Sequence, residues 1–151
     1  MPSKLFKTED DLTLTVLRII VGVVFFAHGA QKMLGWFGGD GFSGTMVSFT
    51  QKMGVPAPFA FLAIAAEFFG GLGLIFGLLT RVAALGVATN MIVAILTVHL
   101  QNGFFMNWGG NQKGEGFEYH LLAIALAIAV IVKGAGAFSF DRLLWRRLST
   151  E

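Results

Sequence analysis

The chain contains no cysteine and few charged residues. The absence of cysteine from all 151 residues excludes disulfides, thiolate metal sites and thiol–disulfide chemistry by this chain alone. Charged residues make up 13% of the sequence, about half of the ~25% that is typical of soluble domains. So few charges would not cover the surface of a soluble fold, whereas a bilayer favours apolar surface. The formal net charge of +2 gives nucleic-acid binding no electrostatic support.

The abundant residues are apolar. They make up 55% of the chain and occur in runs that approach the ~20 residues needed to cross a membrane. The pattern predicts an all-α fold, an integral membrane four-helix bundle that forms one domain over residues 1–151. The predicted spans cover residues 12–34, 59–79, 82–100 and 119–136. A tight turn is expected at Thr80-Arg81, a short amphipathic helix at Thr45–Met53, and an interfacial helix at Phe138–Leu148 with Ser139 as its cap.

Lysine and arginine are divided unevenly between the two ends of the predicted bundle. The end that contains both termini collects seven of them: Lys4, Lys7, Arg81, Lys133, Arg142, Arg146 and Arg147. The opposite end collects three: Lys32, Lys52 and Lys113. Because cytoplasmic segments carry the excess of basic residues, this asymmetry predicts a multi-pass protein with both termini in the cytoplasm.

Several polar residues fall inside the predicted spans, where a charge costs at least about 2.5–3.5 kcal/mol on insertion scales. Glu67 shares its side of the second span with Ala and Gly residues, which indicates that it faces the bundle interior. On the first span, we expect His28 to approach Glu67 and Lys32 to lie further away. Asn90 is the expected uncharged partner, and Arg18 is expected to have a structural role. For Glu67 and Asn90 the structural alternative is a plain interhelical hydrogen bond or ion pair.

Three more ionisable residues, His99, Glu118 and His120, lie at the edge of the bundle opposite the termini. With His28 and Glu67 they would supply enough donors for iron, zinc or copper. However, Glu118 and His120 lack the Glu-x-x-His spacing of di-metal sites in helix bundles. In a regular α-helix His99 points away from the Asn90 face. The three residues are therefore weak candidates, and no metal site is predicted.

The order and spacing of short motifs resemble the DoxX family of small bacterial membrane proteins. The motifs are Gly29-Ala30-Gln31-Lys32, Gly54-Val55-Pro56-Ala57-Pro58, Glu67 with Gly70-Gly71, Gly77-Leu78-Leu79-Thr80-Arg81, and Gly134-Ala135-Gly136-Ala137-Phe138-Ser139-Phe140-Asp141. The segments Phe104–Trp108 and Gly114–His120 resemble one branch of that family. The resemblance covers nearly the whole chain and implies a four-helix protein of the bacterial plasma (inner) membrane.

The resemblance also bears on function. Members are commonly named as candidate oxidoreductases, and relatives of this type are similar to a membrane subunit of a thiosulfate–quinone oxidoreductase. The family carries no agreed catalytic residues. The leading hypothesis is a membrane component of a redox system, linked to a quinone and to redox partner proteins. Glu67 and His28 are the candidate proton or quinone contacts, and Asn90 and Lys32 the candidate cofactor-binding residues. Two alternatives stay open, an assembly or anchoring subunit without enzymatic activity and a small-solute transporter. Homo-oligomers are open as well.

Overall fold

The protein is all-helical over residues 3–149, the part of the chain that the computed structural model describes. Its α-helices are α1 (Ser3–Phe6), α2 (Leu12–Leu34), α3 (Gly41–Val47), α4 (Ala57–Phe76), α5 (Thr80–Ala94), α6 (Glu118–Lys133) and α7 (Phe140–Leu148). The helix α3 continues as a π-helix over Ser48–Lys52, and α5 continues as π and 3₁₀ turns to Asn102. The predicted fold class, an all-α membrane protein, is confirmed.

Three helical segments among residues 3–149 are long and apolar enough to cross a membrane. They are Leu12–Leu34, Ala57–Phe76 and Thr80–Asn102. The fourth long helix, α6, has 16 residues, which is slightly less than a bilayer crossing requires. The four long helices form a ring in which α2 packs on α4, α4 on α5, α5 on α6, and α6 on α2. Buried apolar side chains fill its centre, among them Val21, Phe25, Leu74, Val87, Met91 and Val130.

Glycine brings α2 and α4 into direct backbone contact. A Cβ atom added at Gly29 would lie 2.4 Å from the backbone nitrogen of Phe68, and one added at Gly71 would lie 2.4 Å from that of Phe26. Neither position can carry a side chain without moving the helices apart. Close approach through small residues is typical of helix packing in membranes. The two helices run antiparallel, so this seam sets the register between their polar residues.

The turn between α4 and α5 lies at Gly77–Leu79, so the predicted turn at Thr80-Arg81 and the predicted bounds 59–79 and 82–100 are wrong by a few residues. Gly77 adopts φ +68° and ends α4, as left-handed glycines commonly do. The Asp141 carboxylate accepts hydrogen bonds from the N–H groups of Leu79 and Thr80, which fixes the start of α5. Because Leu78 and Leu79 are apolar, the predicted second span continued past Gly77 to residue 79.

The helix α6 ends at Lys133, three residues before the predicted limit of 136. Gly134 and Gly136 have φ values of +94° and +82°, which a continuing α-helix does not allow. The Gly136 N–H donates to the Thr8 hydroxyl at 2.7 Å, so the segment is tied to the N-terminal region. The last helix then begins at Phe140, two residues later than predicted, and Ser139 caps it as expected by accepting a hydrogen bond from the N–H of Arg142.

The short helix between α2 and α4 also differs from its prediction. It covers Gly41–Val47 and continues through Lys52, whereas the sequence predicted Thr45–Met53. Gly41 and Gly44 disfavour a helix by intrinsic propensity. The chain folds back onto α2 at this point, because a Cβ atom at Gly39 would lie 2.3 Å from the carbonyl oxygen of Gln31. This tertiary contact holds the early part of the helix in place.

Candidate functional site

A buried polar network joins α2, α4 and α5 at the end of the bundle that carries the loops 35–56 and 103–117, called here the loop end. Its centre is Glu67, whose side chain is 8% exposed. The Lys32 ammonium donates to Glu67 Oε2 at 2.5 Å, and the Asn90 amide donates to Glu67 Oε1 at 2.9 Å. Each carboxylate oxygen therefore has a donor from a different helix. The predicted Asn90–Glu67 contact and the inward orientation of Glu67 are confirmed.

The partner on α2 is Lys32 and not His28, so the expected approach of His28 to Glu67 is wrong. His28 is exposed, and its Nδ1 lies 3.2 Å from Gln31 Oε1. The reason is the position of Gly29, which sits directly on the α4 backbone at Glu67 and Phe68. At 100° per residue, His28 is turned about 100° away from Gly29 and Lys32 about 60°. The longer lysine side chain spans the remaining distance.

Two groups at the start of α6 are buried without a hydrogen-bond partner among the described residues, the Tyr119 hydroxyl and His120 Nδ1. The negative charge of Glu67 acts on the Tyr119 phenol, so the phenol belongs to the electrostatic surroundings of the network. A buried polar group that is left unsatisfied costs about 1–3 kcal/mol, and native proteins rarely keep one without a reason. Sequence reasoning missed Tyr119, although it is the only tyrosine of the chain.

The weak metal candidates are only partly brought together. The rings of His99 and His120 contact each other with centroids 4.0 Å apart and an interplanar angle of 43°, and His99 Nδ1 lies 2.8 Å from the carbonyl oxygen of Glu115. Glu118 instead accepts a hydrogen bond from the N–H of Met106 at 2.8 Å. Over residues 3–149, no group of three His, Cys, Asp or Glu side chains is placed to hold a metal ion.

A π-helical turn at Ile95–His99 accompanies the contact between the two histidines. In an ideal α-helix, nine residues separate His99 from Asn90 by half a turn, so the two side chains would lie on opposite faces. A π turn holds more residues and changes the direction of every side chain that follows. Wider helical turns of this kind occur frequently at functional sites. Nothing in the apolar pattern of α5 predicts this one.

At the other end, called the terminal end because the two termini and α7 lie there, a second polar cluster surrounds Arg18. This side chain is fully buried. Its guanidinium donates to the carbonyl oxygens of Ala135 at 2.7 Å, Ile75 at 2.7 Å and Phe138 at 2.6 Å, and also to that of Leu74. Arg18 therefore ties α2 to the end of α4 and to the segment before α7. Its predicted structural role is confirmed.

Asp141 completes the cluster at the terminal end. It is 2% exposed, and its carboxylate accepts hydrogen bonds from Leu79 and Thr80 at 2.7 and 2.8 Å. A carboxylate at a helix N-terminus satisfies N–H groups that have no partner within the helix and interacts favourably with the helix dipole. The sequence placed Asp141 in the first turn of α7 and did not predict that it caps α5, which is distant in sequence.

The two polar clusters differ in chemistry. At the terminal end the Arg18 guanidinium donates to backbone carbonyl oxygens, so it holds neighbouring segments together. At the loop end an ammonium and an amide donate to one carboxylate inside an apolar bundle, and the charge of that carboxylate acts on a phenol that has no hydrogen-bond partner among residues 3–149. A few convergent polar groups in an apolar setting are typical of small-molecule sites. The loop-end network of Lys32, Glu67, Asn90 and Tyr119 is therefore the candidate site.

Comparison with known proteins gives the family. The DoxX family model matches residues 13–100. The chain is 35% identical over 115 residues to a Bacillus subtilis protein named "Putative oxidoreductase CatD", covering 76% of this chain and 75% of that protein. It is 33% identical over 138 residues to the inner membrane protein YqjF of Escherichia coli, covering 91% of this chain and 96% of that one. No solved structure matches the chain. A family model that spans more than half of the chain, together with relatives of this similarity, shows that the protein belongs to the DoxX family.

Proposed function

We propose that this protein is the membrane component of a redox system and that the loop-end network binds a quinone head group. The observation that carries the proposal is the buried Tyr119 hydroxyl, which has no acceptor among residues 3–149 and experiences the charge of Glu67, the partner of Lys32. A quinone carbonyl oxygen is an acceptor of suitable chemistry for a phenol. The relative named as an oxidoreductase supports a redox role, and an apolar bundle suits the ring and isoprenoid tail.

Each residue of the network has a role in the proposal. The Tyr119 hydroxyl and a second N–H of the Lys32 ammonium donate to the ligand and orient it. Glu67 is the group that holds or releases a proton, because it is a carboxylate within reach of a donor on either side. Asn90 fixes the Glu67 carboxylate in position. A bound quinone supplies two-electron, two-proton chemistry, and a redox partner protein supplies or removes the electrons. His28 has no role in this arrangement.

The first test uses Tyr119→Phe, which removes only the unpaired hydroxyl. Because that hydroxyl has no partner among residues 3–149, its loss should leave the stability of the ligand-free protein unchanged or slightly raised. Binding should weaken about tenfold, as expected for the loss of one hydrogen bond in a buried site. The measurement is retention of decylubiquinone and of menadione by the protein in nanodiscs, quantified by chromatography after washing.

The control is Thr97→Val in the π-helical turn that follows α5, because the Thr97 hydroxyl donates to the carbonyl oxygen of Val93. This variant also loses one hydroxyl, but it should retain both quinones as the wild type does. Equal retention by the wild type and Tyr119→Phe would show that the phenol contacts no quinone. Failure of the wild-type protein to retain either compound would refute the quinone proposal and favour the anchoring subunit.

The second test separates proton handling from structure at Glu67. Glu67→Gln keeps the shape but cannot titrate. Its amide oxygen can accept from Lys32, and its NH2 group can donate to the Asn90 amide oxygen once that amide rotates. We expect a stable, inserted protein that fails to restore the phenotype of a deletion strain. Glu67→Ala should also lose stability, because Lys32 and Asn90 then lose their acceptor. Full complementation by Glu67→Gln would refute proton handling. A pH-dependent solute flux that Glu67→Gln abolishes would instead favour the transporter.

A further inference from the structure

A groove opens at the terminal end of the bundle, between the last residue of α4 and the first turns of α7. Its volume is about 420 Å³, which is within the range of small-molecule sites. The side chains that form its walls are mainly apolar, and two arginines complete the lining. Its lining includes Phe76, Phe138, Phe140, Leu143, Arg142 and Arg146.

The walls of the groove are held in place by the cluster around Asp141. The N–H of Asp141 donates to the carbonyl oxygen of Gly77 at 2.8 Å, and its carboxylate binds the start of α5. The first turn of α7 is therefore fixed against the turn between α4 and α5. The Arg142 guanidinium donates to the carbonyl oxygen of Ala137 at 3.0 Å and also pairs with Asp10. This contact positions one positive charge at the groove.

The groove combines apolar surface and positive charge at one place. Phe138 is 75% exposed and Leu143 is 56% exposed, so residues 3–149 do not cover this surface. Among these described residues no acidic side chain lines the groove, and Asp10, which pairs with Arg142, is itself 66% exposed. A ligand that matches these features has an apolar chain and an anionic group that accepts several hydrogen bonds.

We propose that the groove binds one anionic phospholipid of the surrounding membrane. The phosphodiester oxygens accept hydrogen bonds from Arg146 and Arg142, since guanidinium groups match phosphate in geometry. The first carbons of an acyl chain lie against Phe76 and Leu143. An amphipathic helix with arginine on its polar side belongs at the headgroup level of a bilayer. Binding in the groove differs from that general attraction, because a single lipid occupies a groove that only part of α7 forms.

The test compares two neighbouring arginines that carry the same charge. Full-length protein in a non-ionic detergent is titrated with phosphatidylglycerol or with phosphatidylcholine of the same acyl chains, and bound lipid is counted by native mass spectrometry. We expect one phosphatidylglycerol to bind about tenfold more tightly than phosphatidylcholine. Arg146→Gln should weaken phosphatidylglycerol binding about tenfold. Arg147→Gln, on the same helix but outside the lining, should weaken it by about threefold or less.

A second variant changes the shape of the groove and keeps its charges. Leu143→Trp adds bulk to the apolar wall and should lower phosphatidylglycerol binding as strongly as Arg146→Gln. Circular dichroism before each titration selects only variants with wild-type helix content. Equal losses in Arg146→Gln and Arg147→Gln would overturn the proposal, because they would indicate general attraction to α7. Equal binding of the two lipids by the wild-type protein, or unchanged binding by Leu143→Trp, would overturn it as well.

Discussion

Asp141 should contribute more to stability than any exposed carboxylate of the chain. Its side chain links the start of α5 to the start of α7, through bonds of 2.7 and 2.8 Å to the N–H groups of Leu79 and Thr80. Its charge also acts on the buried Arg18 guanidinium. Replacing Asp141 by Asn keeps the size of the side chain but removes the charge and turns one acceptor into a donor.

The expected magnitude follows from these contacts. A hydrogen bond to a charged group contributes about 1.5–3 kcal/mol, and a buried N–H left unsatisfied costs a similar amount. Asp141→Asn can keep one of its two bonds, so we expect a loss of about 2–4 kcal/mol in the free energy of unfolding. Asp141→Ala loses both bonds to the start of α5. Its expected loss is about 3–5 kcal/mol, since each hydrogen bond to a charged group contributes about 1.5–3 kcal/mol.

The matched control is Asp10→Asn, since Asp10 also pairs with an arginine, Arg142, but is 66% exposed. Exposed pairs contribute about 0–1 kcal/mol. The measurement is reversible unfolding in mixed micelles of dodecyl maltoside and sodium dodecyl sulfate, followed by circular dichroism. Hydrogen exchange at the Leu79 and Thr80 amides should also rise in the Asp141 variants. The reasoning fails if Asp141→Asn is no more destabilising than Asp10→Asn.

Two further predictions concern orientation and helix packing. Cysteines introduced singly at Ser48 and Asn111 should react with a membrane-impermeant thiol reagent added to intact cells, whereas one at Ser149 should be protected. External labelling at Ser149 would overturn the predicted orientation. Gly29→Ala should destabilise the protein by at least about 1–3 kcal/mol in the same unfolding assay. The Cβ of the alanine would lie only 2.4 Å from the backbone of α4. Gly70→Ala is the control, since its nearest neighbours would be 3.5 Å away, and equal effects of the two variants would contradict the close-packed seam.

The amino-acid sequence by itself determined the class of the protein and the identity of its central polar residue. Long apolar runs and scarce charges leave few alternatives to membrane helices, because backbone groups in lipid must be satisfied within the segment. The small residues on the same side of α4 predicted correctly that Glu67 faces inward, and the position of Asn90 on α5 predicted their contact. These features depend on local composition and on helical periodicity, which a sequence shows directly.

Only the tertiary structure decided which residues complete each cluster. Lys32 replaces His28 as the partner of Glu67 because Gly29 rests on the α4 backbone and sets the rotation of α2. Tyr119 joins the same site through the packing of α6. Asp141 caps α5 from more than sixty residues away. Such contacts depend on how helices pack and rotate against one another, and on side chains that meet across long sequence separations. Helical periodicity gives the direction of a side chain around its own helix, but it does not determine which residue of an adjacent helix that side chain contacts.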